Sequence, residues 1–473
     1  MSAPRNAVPF NVPPSAARHG RAIVIGGSIT GLVTARVLSD SFAEVIVLER
    51  DSRPEGPVPR KGAPQMRHAH LLLGAATSLV RSLFPGLIDE ITAAGALLVD
   101  PGTAVAMNHY GGWKPRFTTG MECVSASRPF LEWHIRRRVE AIDNIAIRYE
   151  QVAGELLVEA DRVIGVLVEG TGERLTADLV IDAAGRGTRV PRWLDALGYG
   201  MPEEEAIGVD LAYTSHLFEK PQNPPGDWYF LVAYSRPPEQ RGAFIFEIEN
   251  GLWIASMTAY FGDHCPKDHE GFLAHARALP VPEVYEALRN AKPVGEGAAH
   301  KVPTSRWFHY EKMVRFPRGL LVMGDSVVSL NPIYGQGMLM SFQCAQALNE
   351  ALIDRARRGA SLDELTAAMR RKVAEIVTVP WMLSTTMDLR FDKARGKRPP
   401  GLSALQWAFA NLIDLTSTDV EACRIFYEML HMHRGAEALA NPRLLFPLLA
   451  YSAKSPFIPF QKRIQMGAIP PIQ

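Results

Sequence analysis

The apolar positions of the first fifty residues fall into a strand, a helix and a second strand. Residues 22–25 form a short β-branched run of the kind found in strands buried on both faces. A glycine-rich turn follows, then an apolar helix over 32–38 and a strand over 45–48. Helices are predicted over 71–84 and 87–94, broken at Pro85-Gly86. The segment 129–141 places Leu131, Ile135 and Val139 on one helical face. From 145 to 180 the pattern becomes short alternating strands with turns at Gly154, Gly165 and Gly170-Thr171-Gly172. Strands are expected at 228–234, 243–247, 252–259 and 319–323.

After Gly337 the pattern turns helical. Ser361 and Glu364 form a capping box before Leu362, Leu365, Met369, Val373 and Ile376, and Pro380 is predicted to end that helix. Helices 403–413 and 420–433 follow, the second stopped by Gly435. The apolar run 444–451, with Phe457 and Phe460, reads as a buried C-terminal helix, contact with a membrane surface being the alternative.

Composition narrows the class. A chain of 473 residues, 47% hydrophobic and 21% charged, corresponds to about three globular units and excludes disordered and collagen-like classes. Lys+Arg of 51 against Asp+Glu of 50 leaves a net charge of +1, which gives no electrostatic reason to expect a nucleic acid. Cys123, Cys265, Cys344 and Cys423 are scattered, without a CxxC pair, which argues for a reducing cytoplasm over a disulfide scaffold or a thiolate metal site. Residues 1–20 contain four prolines and no apolar core, so they are read as a flexible leader and not a signal peptide. The charge-free stretch 326–349 carries Asn331, Pro332, Gln336 and Gln343, and is read as a functional loop leading into a buried helix rather than a membrane span.

Three motifs carry chemistry. Gly26-Gly27-Ser28-Ile29-Thr30-Gly31 follows a strand and opens a helix, matching G-x-G-x-x-G with serine at the middle glycine. There Gly26 permits the turn, Gly31 lets helix and strand approach, and the helix N-terminus holds a pyrophosphate. Glu49, at the end of the second strand, is the expected ribose ligand, and Arg50 is a rim arginine over the adenine or, alternatively, a reader of a 2′-phosphate. The second motif is the strand 319–323 with Gly324-Asp325, followed by Pro332-Ile333-Tyr334-Gly335-Gln336-Gly337-Met338. The third is Asp182-Ala183-Ala184-Gly185-Arg186-Gly187.

The second motif resembles that of FAD-dependent group A monooxygenases. The resemblance implies that Asp325 contacts the ribityl chain, that Gly335, Gln336, Gly337 and Met338 approach the flavin ring, and that the helix starting there stabilises negative charge on it. Arg128, in Arg128-Pro129-Phe130-Leu131, resembles that family's R-x-x-L element, which contacts FAD. The loop Arg60-Lys61-Gly62-Ala63-Pro64-Gln65-Met66-Arg67-His68-Ala69-His70 is similar to one in bacterial epoxidases of lasalocid- and monensin-type polyether pathways. The likeness runs from about Arg21 to Pro400.

It implies an α/β fold: a Rossmann-like, para-hydroxybenzoate-hydroxylase-like FAD domain with an inserted β-sheet substrate domain and a helical C-terminal region. The FAD domain would comprise 21–100, 126–190 and 305–358, the substrate domain 101–125 and 191–304, and the helical region 359–473. The implied chemistry is transfer of one oxygen atom from O2, through a flavin C4a-hydroperoxide, to a C=C bond or aromatic carbon of an apolar natural product, with epoxidation favoured. Electrons would come from NADPH, NADH or a flavin reductase. Pro332, Gly335 and Gly337 would shape the oxygen-transfer face, and Arg67, His68 and His70 would position substrate or flavin. No metal is expected at the two histidines, which lack an acidic or cysteine partner in that loop. Nor is stable membrane insertion expected. Aromatic hydroxylase, halogenase, reductase and non-catalytic FAD-fold scaffold remain as alternatives. The halogenase W-x-W-x-I-P pattern is missing, and a scaffold would be colourless. Arg136-Arg137-Arg138 is read as a solvated helix face.

Overall fold

The computed structural model describes residues 19–458 and 460–473. The expected leader falls outside the described residues up to position 18, and His19 and Gly20 already belong to the first strand.

Five parallel strands form one layer, in the order Leu320–Val322, Leu179–Asp182, His19–Ile25, Phe42–Glu49 and Ile145–Tyr149. Their apolar side chains are needed on both faces, and Ile23, Val24, Val45, Ile46 and Val180 are all fully buried. The helices Ile29–Leu38, Arg128–Glu140 and Gly337–Arg358 belong to this layer. The strands come from four distant stretches of chain, so both glycine-rich turns emerge at the carboxyl edge of the same sheet.

An eight-stranded mixed sheet makes the second layer, ordered Val328–Ser329, Lys292–His309, Glu203–Glu219, Leu252–Ala259, Gly242–Ile248, Phe230–Tyr234, Val105–His109 and Gly112–Trp113. Alternation sorts its side chains. Leu231, Ala233, Ala243 and Ile245 join a cluster with Trp253 and Phe272, whereas Phe230, Val232, Phe244 and Phe246 face the other side.

Several expectations are corrected. Leu71–Leu72 is a strand, because it pairs with Cys123–Ser125, and the helix begins only at Gly74. Pro380 does not end its helix, which runs over Leu362–Asp388 from a Ser361 cap that accepts from Glu364 N. A proline inside a helix costs roughly 3 kcal/mol. Here its ring is buried, between turns anchored by buried Val377 and Trp381. The next helix but one stops at Leu430 rather than His433, since Met432 adopts a left-handed φ of 54°. The Pro442–Lys454 helix buries only Leu444 and Ser452, so it is not the buried helix expected. No helix among the described residues is long and apolar enough to cross a membrane.

Candidate functional site

One cavity of about 800 Å³ runs from the first glycine-rich turn to the second and on into the large sheet. It lies in the upper part of the range for cofactor and substrate pockets.

At its first end the turn is built for close approach. Gly26 has φ of 100°, and a Cβ there would lie 2.6 Å from the Ala183 carbonyl oxygen. A Cβ on Gly31 would lie 1.8 Å from the Gly26 oxygen, so helix and strand pack only if this residue is glycine. Ser28 explains its own presence at the middle position. Its hydroxyl donates to Glu132 Oε2 at 2.7 Å and accepts from Arg128 Nη2 at 3.2 Å. The side chain is thus tied to protein groups beside the turn.

Glu132 is the hub of this end and was missed by sequence reasoning. It is almost fully buried and holds three arginines: Arg60 at 2.6 Å, Arg136 at 3.0 Å and Arg128 at 3.5 Å. Arg60 also pairs with Glu49 at 3.1 Å and Asp51 at 2.8 Å. Arg136, expected on a solvated face, is instead buried, donating to the Gly27 carbonyl and to Glu132. The i, i+4, i+8 spacing of Arg128, Glu132 and Arg136 was the available signal. Burial pushes the Glu132 carboxyl up, but Arg128, Arg60 and Arg136 together hold it below the usual carboxylate range.

Arg128 lines the cavity, is 7% exposed, and its Nε has no partner. A buried guanidinium with a free donor, beside a glycine turn that opens a helix, fits an anion such as a pyrophosphate. Glu49 lines the cavity too, its Oε2 accepting from Gly27 N at 3.0 Å. Arg50 reaches the rim and donates to the Gly62 carbonyl at 2.7 Å.

At the second turn, Gly335 has φ of 71°, and a Cβ there would meet nothing within 4 Å. A Cβ on Gly337 would meet only Asp325, at 3.8 Å. The left-handed backbone accounts for Gly335, whereas no protein crowding requires Gly337, whose backbone is open to the cavity. Asp325, Pro332 and Met338 line the cavity beside them. Burial raises the Asp325 carboxyl above its ordinary range, against the pull of Arg186, Arg128 and Arg306. The residues at both ends fit FAD. Gln336 does not line this cavity; it lines a neighbouring one of about 370 Å³ between the long helices.

The loop is held from below by a group to which the sequence reading assigned no role. Asp388, fully buried, accepts on Oδ1 from Asn331 Nδ2 at 2.8 Å and from Tyr334 Oη at 2.9 Å, while Oδ2 has no partner. Burial pushes this carboxyl up to about 7, against the two hydrogen bonds.

Beyond the second turn the cavity is an apolar chamber. Met107, Phe230, Val232, Phe244 and Phe246 form its floor, and Ile333 and Leu430 also line it. The histidine loop runs along one side. His68 Nδ1 is 2.8 Å from Ser215 Oγ, and Ser256 Oγ is 2.5 Å from Ser215 Oγ and accepts from Ala69 N. Burial lowers His68 to about 3 and His70 to about 4, so both are neutral. Both line the cavity, but Arg67 is exposed and does not: the short Pro64–Arg67 turn points it outward. No group of three or more potential metal ligands occurs among the described residues.

Comparison with known proteins sets this geometry in context. No protein-family model matches the chain. Protein Rv3254 of Mycobacterium tuberculosis is 36% identical over 397 residues, covering 80% of this chain and 82% of that protein. Digeranylgeranylglycerophospholipid reductase 2 of Methanopyrus kandleri is 25% identical over 342 residues, covering 69% and 75%. Among solved structures, p-nitrophenol 4-monooxygenase from Pseudomonas putida superposes with a TM-score of 0.62 over 88% of this chain and 99% of its own, at 18% identity. The fold is therefore of the flavoprotein monooxygenase type, with a Rossmann-like layer, a large mixed sheet and C-terminal helices.

Proposed function

The chain belongs to the family of Protein Rv3254 of Mycobacterium tuberculosis, and on that premise we propose that it is an FAD-dependent monooxygenase acting on an apolar substrate, with epoxidation of a C=C bond favoured. One observation carries the reading: the two glycine turns and an aromatic-walled apolar chamber share a single cavity. Bound there, FAD reduced by NADPH, NADH or a partner flavin reductase supplies O2 activation and one-oxygen transfer.

The residues divide the work. Gly26, Gly27, Ser28 and Gly31 shape the pyrophosphate turn, Arg128 supplies the buried cation, and Glu49 and Arg50 face the ribose and adenine end. Asp325 would hold the ribityl chain and the Gly335–Gly337 backbone would approach the ring, with Gln336 and Met338 at the start of the long helix. Pro332 and Ile333 form the face nearest the chamber. The phenyl floor excludes water and orients an apolar ligand. His70 and His68, neutral and hydrogen-bonded, border the chamber as positioning groups. Arg67 has no part in this assignment. The FAD-binding part is assigned to 21–100, 126–190 and 305–358, the chamber part to 101–125 and 191–304, and the helical part to 359–473. A cytoplasmic setting accords with four free, buried cysteines.

A second reading, a flavin-dependent reductase saturating isolated double bonds, is favoured by the similarity to the archaeal phospholipid reductase. Oxygen consumption separates the two. The test is turnover with NADH, NADPH or a supplied flavin reductase against panels of polyenes and phenols, following O2 and product mass. Substrate-dependent O2 uptake with a product heavier by one oxygen supports the monooxygenase. A phenolic product alone makes it an aromatic hydroxylase. A product heavier by two hydrogens without O2 uptake supports the reductase.

A further inference from the structure

The Pro442–Lys454 helix carries apolar residues on its outward face as well as its inward one. Leu444, Leu448 and Tyr451 pack inward with Leu412, Ala422 and Ile425, but Phe446 is 67% and Leu449 57% exposed. Phe457, just beyond the helix, is 85% exposed. At about 100° per residue, Phe446, Leu449, Ala450 and Ala453 lie in one stripe about 100° wide. Arg443 and Lys454 flank it on the same side, at about 60–80° from Phe446, Arg443 lying 3.6 Å from Glu421. A soluble helix normally reverses this arrangement, with charges outward.

The charge of the segment is equally biased. Residues 438–473 contain Arg443, Lys454, Lys462 and Arg463 and no aspartate or glutamate, while the whole chain carries only +1. An outward apolar stripe with a basic flank is complementary to a bilayer surface bearing anionic headgroups: phenyl and leucyl groups enter the acyl boundary, and lysine and arginine meet phosphates. No helix among the described residues can span the bilayer, so the contact would lie in the interface plane.

We propose that the C-terminal helix docks this protein peripherally on anionic lipid surfaces through Phe446, Leu449 and Phe457, with Lys454 and Lys462 supplying the charge. The proposal does not depend on the flavin reading.

Co-sedimentation of the full chain with vesicles tests it. Phosphatidylcholine vesicles with about 30 mol% phosphatidylglycerol bind the protein, and pure phosphatidylcholine vesicles bind it far less. Phe446→Ser/Leu449→Ser/Phe457→Ser lowers the partition coefficient roughly tenfold or more, with melting temperature and circular dichroism unchanged because the side chains are exposed. Should that variant misfold, Lys454→Glu/Lys462→Glu and addition of about 0.5 M salt give the same loss by a second route. Absence of binding to anionic vesicles overturns the proposal. So does binding that the apolar and charge variants both leave intact. Sedimentation velocity adds a third arm: a concentration-dependent dimer abolished by the serine variant, without vesicle binding, would make the face a contact between two copies and overturn the lipid assignment.

Discussion

Replacing Glu132 by glutamine probes the arginine cluster behind the first glycine turn. The carboxylate faces three guanidinium groups, but their losses are unequal. Arg60 keeps Glu49 and Asp51, and Arg136 keeps the Gly27 carbonyl. Arg128 retains the Ser28 hydroxyl, at 3.2 Å, and the longer-range charge of Asp325. The variant thus leaves one buried cation without an adjacent counter-charge, which costs about 3–5 kcal/mol. Removing that cation as well, in Glu132→Gln/Arg128→Met, recovers a large part of the loss, a coupling that a double-mutant cycle isolates. Because Glu132 titrates below the usual range, its contribution is present above the unfolded-state value near pH 4 and fades as pH falls through the folded-state value. Urea unfolding at pH 7.5 and at a series of pH values below 4 reads both effects. A loss under about 1 kcal/mol at neutral pH, or a double variant no more stable than the single one, would refute the reasoning.

Three further outcomes are expected. Gly31→Ala forces a Cβ to within 1.8 Å of the Gly26 oxygen, so FAD affinity falls by at least about a hundredfold or the protein fails to fold, as read by flavin fluorescence and circular dichroism. Asp388→Asn is silent near pH 4, increasingly stabilising up to about pH 7, and level above that. The wild-type carboxyl ionises when unfolded but stays protonated when folded up to about 7, a difference of about three pH units or ~4 kcal/mol; a melting-temperature gap that does not widen with pH would contradict this. Phe244→Trp fills part of the chamber, and should raise KM for an apolar substrate severalfold while leaving FAD affinity within about twofold, because Phe244 stands on a strand of the large sheet and belongs to neither glycine turn.

The parts of the site legible in the sequence were those in which the chemistry is local. A phosphate turn needs strand, glycines and helix in immediate succession, so Gly26 and Gly31 stand out, as do Gly335 and Gly337. The supporting groups were not legible because they act across long separations. Ser28 meets Glu132 over 104 residues, and Asn331 meets Asp388 over 57. Asp388 was hidden further by Pro380, whose usual helix-breaking effect is outweighed by burial on both sides. Arg136 was misread because a run of three arginines usually faces water, yet helical rotation turns only one of them inward. Likewise Arg67 and His68 are adjacent in sequence, but the short turn turns one outward and the other into the cavity. The chamber floor was present as strand alternation, but which face it presented depended on how the eight-stranded sheet packs.

FAD titration of the purified protein, followed by flavin fluorescence and the visible absorption band, tests the central claim most directly. The account predicts saturable binding at one FAD per chain, weakened strongly by Arg128→Met and left unchanged by Arg67→Ala. No binding at excess FAD, or binding indifferent to Arg128→Met, would contradict it.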